Sequence, residues 1–133
     1  MFRAVNAERK QAGLGELAFD TRMAEVARAH SAEMRDKNYF AHESPTASLK
    51  DPMDRYMAGM GYRPRMVAEN IYRAWGSYSS LNDEGLAKAH TSLMNSPRHR
   101  ANILDPGLTR IGVGLATDAT GNIWVTQLFA RPQ

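Results

Sequence analysis

The chain has 133 residues, a length that fits one domain and can bury a core without covalent staples. With 43% hydrophobic and 23% charged residues it has the composition of a folded globular protein, and the absence of cysteine excludes disulfides, thiolate metal sites and a cysteine nucleophile. Seventeen Lys and Arg against 14 Asp and Glu give a net charge of +3, spread along the chain rather than gathered, so no nucleic-acid partner is expected. No apolar run approaches the length of a membrane span. The opening MFRAVNAERK lacks the basic-then-apolar order of a signal peptide.

In chain order, FRAVNAERKQAG places Val5, Glu8, Arg9 and Ala12 at helical spacing and stops at Gly13, with Gly15 after it as a left-handed exit and turn. AFDTRMAEVARAHSAEMRDKN carries the clearest helical signal. Asp20 or Thr21 can cap its start, Met23, Val26, Ala27, His30 and Met34 form one stripe, and Lys37-Asn38 suit its end. YFAHESPTASLKDP reads as a loop with anchoring rings. DPMDRYMAGMGYRP reads as a short helix opened by Pro52 and closed at Gly59 or Gly61.

MVAENIYRAW is rich in β-branched and aromatic residues and reads as a strand with an acid, Glu69, in its middle. SSLNDEGLAKAHTSLMNSP is a further helix with Leu86, Ala89, His90 and Leu93 facing inward, ended by Ser96-Pro97. RIGVGLATDATGNIWVTQLFA reads as a β-hairpin turning at Gly121-Asn122. Ile111, Val113 and Leu115 alternate on one strand, and Ile123, Val125 and Gln127 on the other. About four helices beside a small antiparallel sheet predict a layered α+β domain.

The sequence has no dinucleotide or phosphate loop, no His-Glu-x-x-His and no Gly-x-Ser-x-Gly, so any chemistry must come from residues that the fold assembles. The four histidines are the informative residues. His30 lies on the apolar stripe of its helix and is expected as a satisfied core histidine, and His90 as structural or surface. His42 sits in a loop and His99 just past a helix end, where a rigid scaffold places functional groups. Glu69 is the only acid in an apolar segment and must be paired, hydrogen-bonded or turned into a cleft. By spacing alone the three are either unrelated polar residues or one constellation. Two imidazoles and a carboxylate can hold a divalent metal with an open position for water, or do general acid–base work.

The ordered stretches VNAERKQAGLGEL, AEVARAHSAEM, YFAHESP, DRYMAGMGY, AENIYRA, NSPRHRANILDP, RIGVGLA and IWVTQLFA resemble the CAP superfamily. That superfamily holds the cysteine-rich secretory, antigen 5 and pathogenesis-related 1 proteins, and the resemblance is closest to its bacterial SCP-like extracellular domains. It covers nearly all of residues 1–133 as a single domain. It implies a three-layer α–β–α sandwich with helices on both faces of a mainly antiparallel sheet. It also implies a central cleft with two histidines and two acids, discussed as a divalent-metal site.

Matched motif by motif, His42 is the first histidine, Glu69 the first acid and His99 the second histidine, while Ser96 stands where relatives carry the second acid. Arg98 replaces a glycine usual before the last histidine, and Leu93 replaces a tryptophan. A missing acid and an added arginine weaken the hold on a cation and favour an anionic ligand. Asn70, Ser96 and Arg98 are expected to line the cleft. His30 matches a packing position, and Asn6, Arg9, Trp124 and Gln127 match polar scaffold contacts.

The resemblance therefore implies a secreted or cell-envelope monomer. Its His42–Glu69–His99 cleft would bind a small-molecule, lipid or cell-envelope ligand, or a divalent cation such as Zn²⁺, without established catalysis. Two alternatives stand beside it. One is a metal-assisted hydrolase in which His42 and His99 hold zinc and Glu69 is a third ligand or the general base. The other is an envelope interaction or adhesion module that works through its basic surface.

Overall fold

The computed structural model describes residues 1–76 and 82–133. In chain order its elements are α1 (Phe2–Gln11), β1 (Ala18–Phe19), α2 (Thr21–Asp36), α3 (Pro52–Met60), β2 (Met66–Ala74), α4 (Asp83–Met94), α5 (Pro97–Ile103), β3 (Arg110–Thr117) and β4 (Ile123–Arg131). The strands form one sheet in the order β1-β3-β4-β2. β3 and β2 both pair antiparallel with β4, while β1 pairs parallel with β3, so the sheet is mixed rather than purely antiparallel. Every residue of β4 from Ile123 to Ala130 is buried, because the strand is central and covered on both faces. β2 is an edge strand, and that position matters for the site.

Successive strand residues point to opposite faces, and each face has its own helical layer. On one face Met23, Ala27, Tyr56 and Met60, from α2 and α3, pack on Leu128 and Ala130. On the other, Val5, Leu93, Met94 and Ile103, from α1, α4 and α5, pack on Ile111 and Phe129. The expected α–β–α sandwich is the one found.

α2 lies directly on the sheet because β3 offers it no side chains there. A Cβ added at Gly112 or Gly114 would overlap the helix backbone at Met23–Ala24 or Ala27–Arg28. This close approach lets the Ser31 hydroxyl donate to the Gly114 carbonyl at 3.0 Å and meet the Thr126 hydroxyl at 2.7 Å. The helix starts at Asp20, whose carboxylate accepts from the Arg22 and Met23 amides, and Asn38 carries the exit at φ 53°. On the opposite face Arg9, 1% exposed, donates to the carbonyls of Gly15, Ile103, Asp105 and Leu108. Asn6 exchanges two hydrogen bonds with the backbone of Leu17. The polar residues of the first helix are thus scaffold contacts, as expected.

Several local expectations change. α4 does end before Ser96-Pro97, at Met94, but Pro97 also opens a fifth helix not expected from the sequence, α5, with Ser96 as its N-cap residue. α3 ends at Gly61 (φ 84°), with Gly59 inside it, and a capping box joins Asp51 and Asp54 at its start. Gly13 (φ 77°), not Gly15, makes the left-handed exit from α1. The hairpin turn spans 118–122, where the Asp118 carboxylate accepts from the amides of Thr120 and Asn122. The loop after α2 includes one 3-10 turn at Ala47–Leu49, and of its two aromatic rings Tyr39 is half-buried whereas Phe40 is exposed. The helix expected to begin at 79 starts at Asp83, and residues 79–81 lie outside the described residues.

Gly114→Ala should cost about 2–3 kcal/mol in urea unfolding, because the added methyl meets helix backbone that cannot yield without moving the layer. Gly13→Ala, which faces open space but at φ 77°, should cost about 1 kcal/mol.

Candidate functional site

Glu69 stands on the edge strand β2 with its side chain 2% exposed. It points to the α2/α3 face, where three basic groups meet it. The Arg55 guanidinium, from α3, donates to Oε2 at 2.8 Å and is itself buried. His42, from the loop after α2, places Nδ1 2.9 Å from Oε1. His30, from α2, brings Nε2 to 3.7 Å from the same oxygen. Both carboxylate oxygens are therefore committed to cationic or N–H groups.

The bond to Glu69 fixes the tautomer of His42. A carboxylate only accepts, so Nδ1 carries the hydrogen and Nε2 is left as the nitrogen with a free lone pair when the ring is neutral. The His42 side chain is 50% exposed, so that ring is reachable from solvent.

Asn70, the next residue, points to the opposite face. It is fully buried, donating to the Gln127 side-chain oxygen and to the His99 carbonyl, both at 3.1 Å. Asn102 on α5 donates to Asn70 Oδ1 at 2.8 Å and to the Glu69 carbonyl at 3.3 Å. Two consecutive residues of one edge strand thus hold the two helical layers. Glu69 holds the loop of His42, and Asn70 holds the helix of His99. Asn70 was expected to line the cleft; its burial makes it a strut beneath α5 instead.

His99 lies in the first turn of α5, half-buried, with Nδ1 buried and, among the described residues, without a hydrogen-bond partner. Burial pushes its pKa below the ordinary 6.5, and the charge of nearby His42 lowers it further. Ser96, at the start of α5, is half-buried and lines a groove of about 580 Å³ that runs along α4 through Lys88, Thr91 and Asn95. Arg98, one residue before His99, is exposed.

Two members of the site, Arg55 and Asn102, were not singled out in the sequence, and a third, His30, was read only as a core residue. Arg55 had one signal, since a buried Glu69 demands a cation and Arg55 shares the inward face of α3 with Tyr56. His30 was expected in the core and is there, but its position is at the floor of the site. Its Nε2–H donates to the Ala41 carbonyl at 3.0 Å, and it lies beside Glu69. Burial is the main cause of its lowered pKa, opposed by the Glu69 charge. Asn102 gave no signal at all. His90 is buried with Nε2 3.4 Å from Glu8 and stands apart from the cleft.

The donor set limits what a metal could find here. Among the described residues no group of three or more His, Cys, Asp or Glu side chains is arranged to hold a metal ion. With both Glu69 oxygens engaged, the ligating atoms on offer are imidazole nitrogens of His42 and His99. Two imidazoles fit an open, labile site and do not fit the three-ligand set of a hydrolytic zinc centre.

The fold agrees with what is known of similar proteins. The sequence profile of the CAP family, the cysteine-rich secretory protein family, matches residues 2–129, and the chain belongs to that family. It is 40% identical over 126 residues to YkwD of Bacillus subtilis, covering 95% of this chain and 44% of that protein. To the B. subtilis membrane protein YlbC it is 32% identical over 111 residues, covering 83% and 29%. The chain thus spans less than half the length of these relatives.

An extracellular protein containing an SCP domain from Bacillus anthracis superposes with a TM-score of 0.77 at 35% identity, over 96% of this chain and 37% of that one. An outer surface protein of Borrelia burgdorferi shares the fold with a TM-score of 0.80 at 16% identity, over 99% of this chain and 90% of that one. This is a bacterial SCP-type CAP domain. Among its described residues no helix is long and apolar enough to cross a membrane.

Two measurements probe the site's electrostatics. His30 and His99 both have folded pKa values below 6.5, so the unfolded chain takes up protons at a higher pH than the folded one. Stability should be full above about 6.5 and fall as the pH drops through that value toward the folded pKa values. His99→Gln should flatten that part of a melting-temperature profile. Separately, Arg55→Met should destabilise by about 3 kcal/mol or more, because it strands a buried carboxylate. Adding Glu69→Gln should recover a large part of the loss in a double-mutant cycle.

Proposed function

We propose that this is an extracytoplasmic CAP domain that binds a ligand or a divalent cation in the cleft between His42 and His99, without catalysing a reaction there. The observation that carries the reading is the bond from His42 Nδ1–H to Glu69, which leaves the Nε2 lone pair of that half-exposed ring free to bind a ligand or metal. Glu69 is the residue that orients His42, because Arg55 and His42 already occupy its two oxygens. The same engagement argues against Glu69 as a general base, which would need a free oxygen within reach of a water.

The extracytoplasmic placement is supported by the extracellular SCP-domain protein of B. anthracis at 35% identity. The ligand classes that suit the cleft are small molecules or envelope components carrying an anionic group. Glu69 is neutralised by Arg55, Ser96 supplies no charge, and exposed Arg98 adds a positive one.

Zn²⁺ titration by calorimetry tests the proposal. Weak binding is expected to the wild type at pH 7.5, lost in both His42→Ala and His99→Ala, and lost as the pH falls because only neutral imidazole ligates. Equal heats from wild type and both variants would refute the cation half of the reading. Retention of anionic envelope lipids or polymers that survives His42→Ala, His99→Ala and Arg98→Ala alike would refute the ligand half.

A further inference from the structure

Resting on that reading of the cleft, we propose that Glu33 is the positioning residue that keeps His42 on Glu69. It gathers the loop on both sides of His42 onto one carboxylate at the end of α2.

The loop from residue 39 to 50 has little apolar surface to hold it. Only Tyr39 packs on a hydrophobic cluster, with Met34, Ile71 and Trp124. Phe40 is 42% exposed, His42, Glu43 and Pro45 are exposed, and buried Ser44 is polar. A loop with so few apolar contacts would ordinarily open locally at small cost.

Hydrogen bonds to Glu33 take the place of that packing. The Tyr39 hydroxyl donates to Oε1 at 2.6 Å, the Ser44 hydroxyl donates to the same oxygen, and the Thr46 hydroxyl donates to Oε2 at 3.0 Å. Lys37, one turn on, donates to the Thr46 hydroxyl at 2.8 Å and lies 3.7 Å from Oε2. The donors precede and follow His42 in sequence, so the carboxylate closes a ring of chain around it. His30 adds a contact inside the ring through the Ala41 carbonyl.

The latch is charged at neutral pH. Burial alone would raise the Glu33 carboxyl, but the hydroxyls of Ser44, Tyr39 and Thr46, with Lys37, outweigh it and hold the pKa to about 2. Hydrogen bonds to an ionised acceptor are the stronger kind, so three of them on one carboxylate fix the loop as a unit. Glu33 belongs to none of the described hydrophobic clusters. Its removal should therefore free the loop without unpacking the sheet.

The test uses ¹⁵N-labelled protein and reads the tautomer of His42 and the backbone order of residues 40–46. In the wild type His42 should hold its hydrogen on Nδ1. In Glu33→Ala, a good helix residue that removes every loop contact, the Nε2–H tautomer should appear and the loop should lose order. Amide signals at Ser31 and Gly114, where α2 meets the sheet, should stay in place. Glu33→Gln, which keeps one acceptor oxygen, should restore the wild-type tautomer in part. Ser44→Ala with Thr46→Val should reproduce the effect and decides the matter if Glu33→Ala does not fold.

Zn²⁺ affinity should fall by about tenfold or more in Glu33→Ala, the scale seen when a supporting residue of a metal site is lost. An unchanged His42 tautomer and unchanged loop order in both the Glu33→Ala and the double variant would overturn the role of Glu33. Absence of any Zn²⁺ binding by the wild type would instead remove the cation reading of the cleft, and the tautomer comparison would still decide what positions His42.

Discussion

Everything at the cleft depends on an ionised carboxylate held inside the fold. Glu69 and Arg55 are both buried, and taking two charges out of water costs several kcal/mol per ion before their attraction returns any of it. Such a pair contributes little net stability compared with apolar residues of the same volume. What it contributes here is placement. Arg55 also donates to the carbonyls of Leu49 and Lys50, so one guanidinium ties the end of the His42 loop, the start of α3 and the edge strand together. No other partner for Glu69 would join those three pieces of chain at one point.

The cleft is built across two layers, and its accuracy depends on how each layer is seated. His42 reaches it from the α2/α3 side, and His99 from the side of α1, α4 and α5. A sandwich whose layers could slide would not keep the two histidines at a fixed separation. Sliding is resisted on one side by α2 lying against the glycines of β3, and on the other by the Asn70–Asn102 contacts that lock α5 to β2. Both restraints come from close polar or steric contact rather than from the apolar clusters, which tolerate small shifts. Because Glu69 and Asn70 are neighbours in sequence, a slip of β2 by one residue would exchange their faces and disconnect both layers at once.

Much of this was legible in the sequence, and the failures have physical causes. The stripe of α2 and the alternation in β3 and β4 announce themselves because burial on one face imposes a period. Glu69 was conspicuous because an acid in an apolar strand cannot be left alone. α5 was missed because proline after serine reads equally as the end of one helix or the first turn of the next, and only the backbone that follows decides. β1 has two residues and a parallel partner more than ninety positions away, so no local pattern could show it. Arg55 and Asn102 sit on helices where arginine and asparagine usually face water, and their inward direction is set by the partner strand. His30 was read correctly as buried, but a one-dimensional stripe cannot say that its neighbour across the core is a carboxylate.

The charge balance of the site separates this domain from a cation trap. Glu69 is compensated by Arg55, and the exposed charges that flank His99 in sequence are those of Arg98 and Arg100. A divalent ion seated on two neutral imidazoles would keep its full charge and most of its coordination positions. It would be held weakly unless something anionic completed its shell. An anionic ligand arriving alone would find the exposed Arg98. Cation and anion would therefore each improve the site for the other, and by linkage the gain in affinity must be the same in both directions. The domain's chemistry would then lie in joint recognition of a metal and an acidic group, at a site too open and too sparsely ligated to hold either one tightly alone.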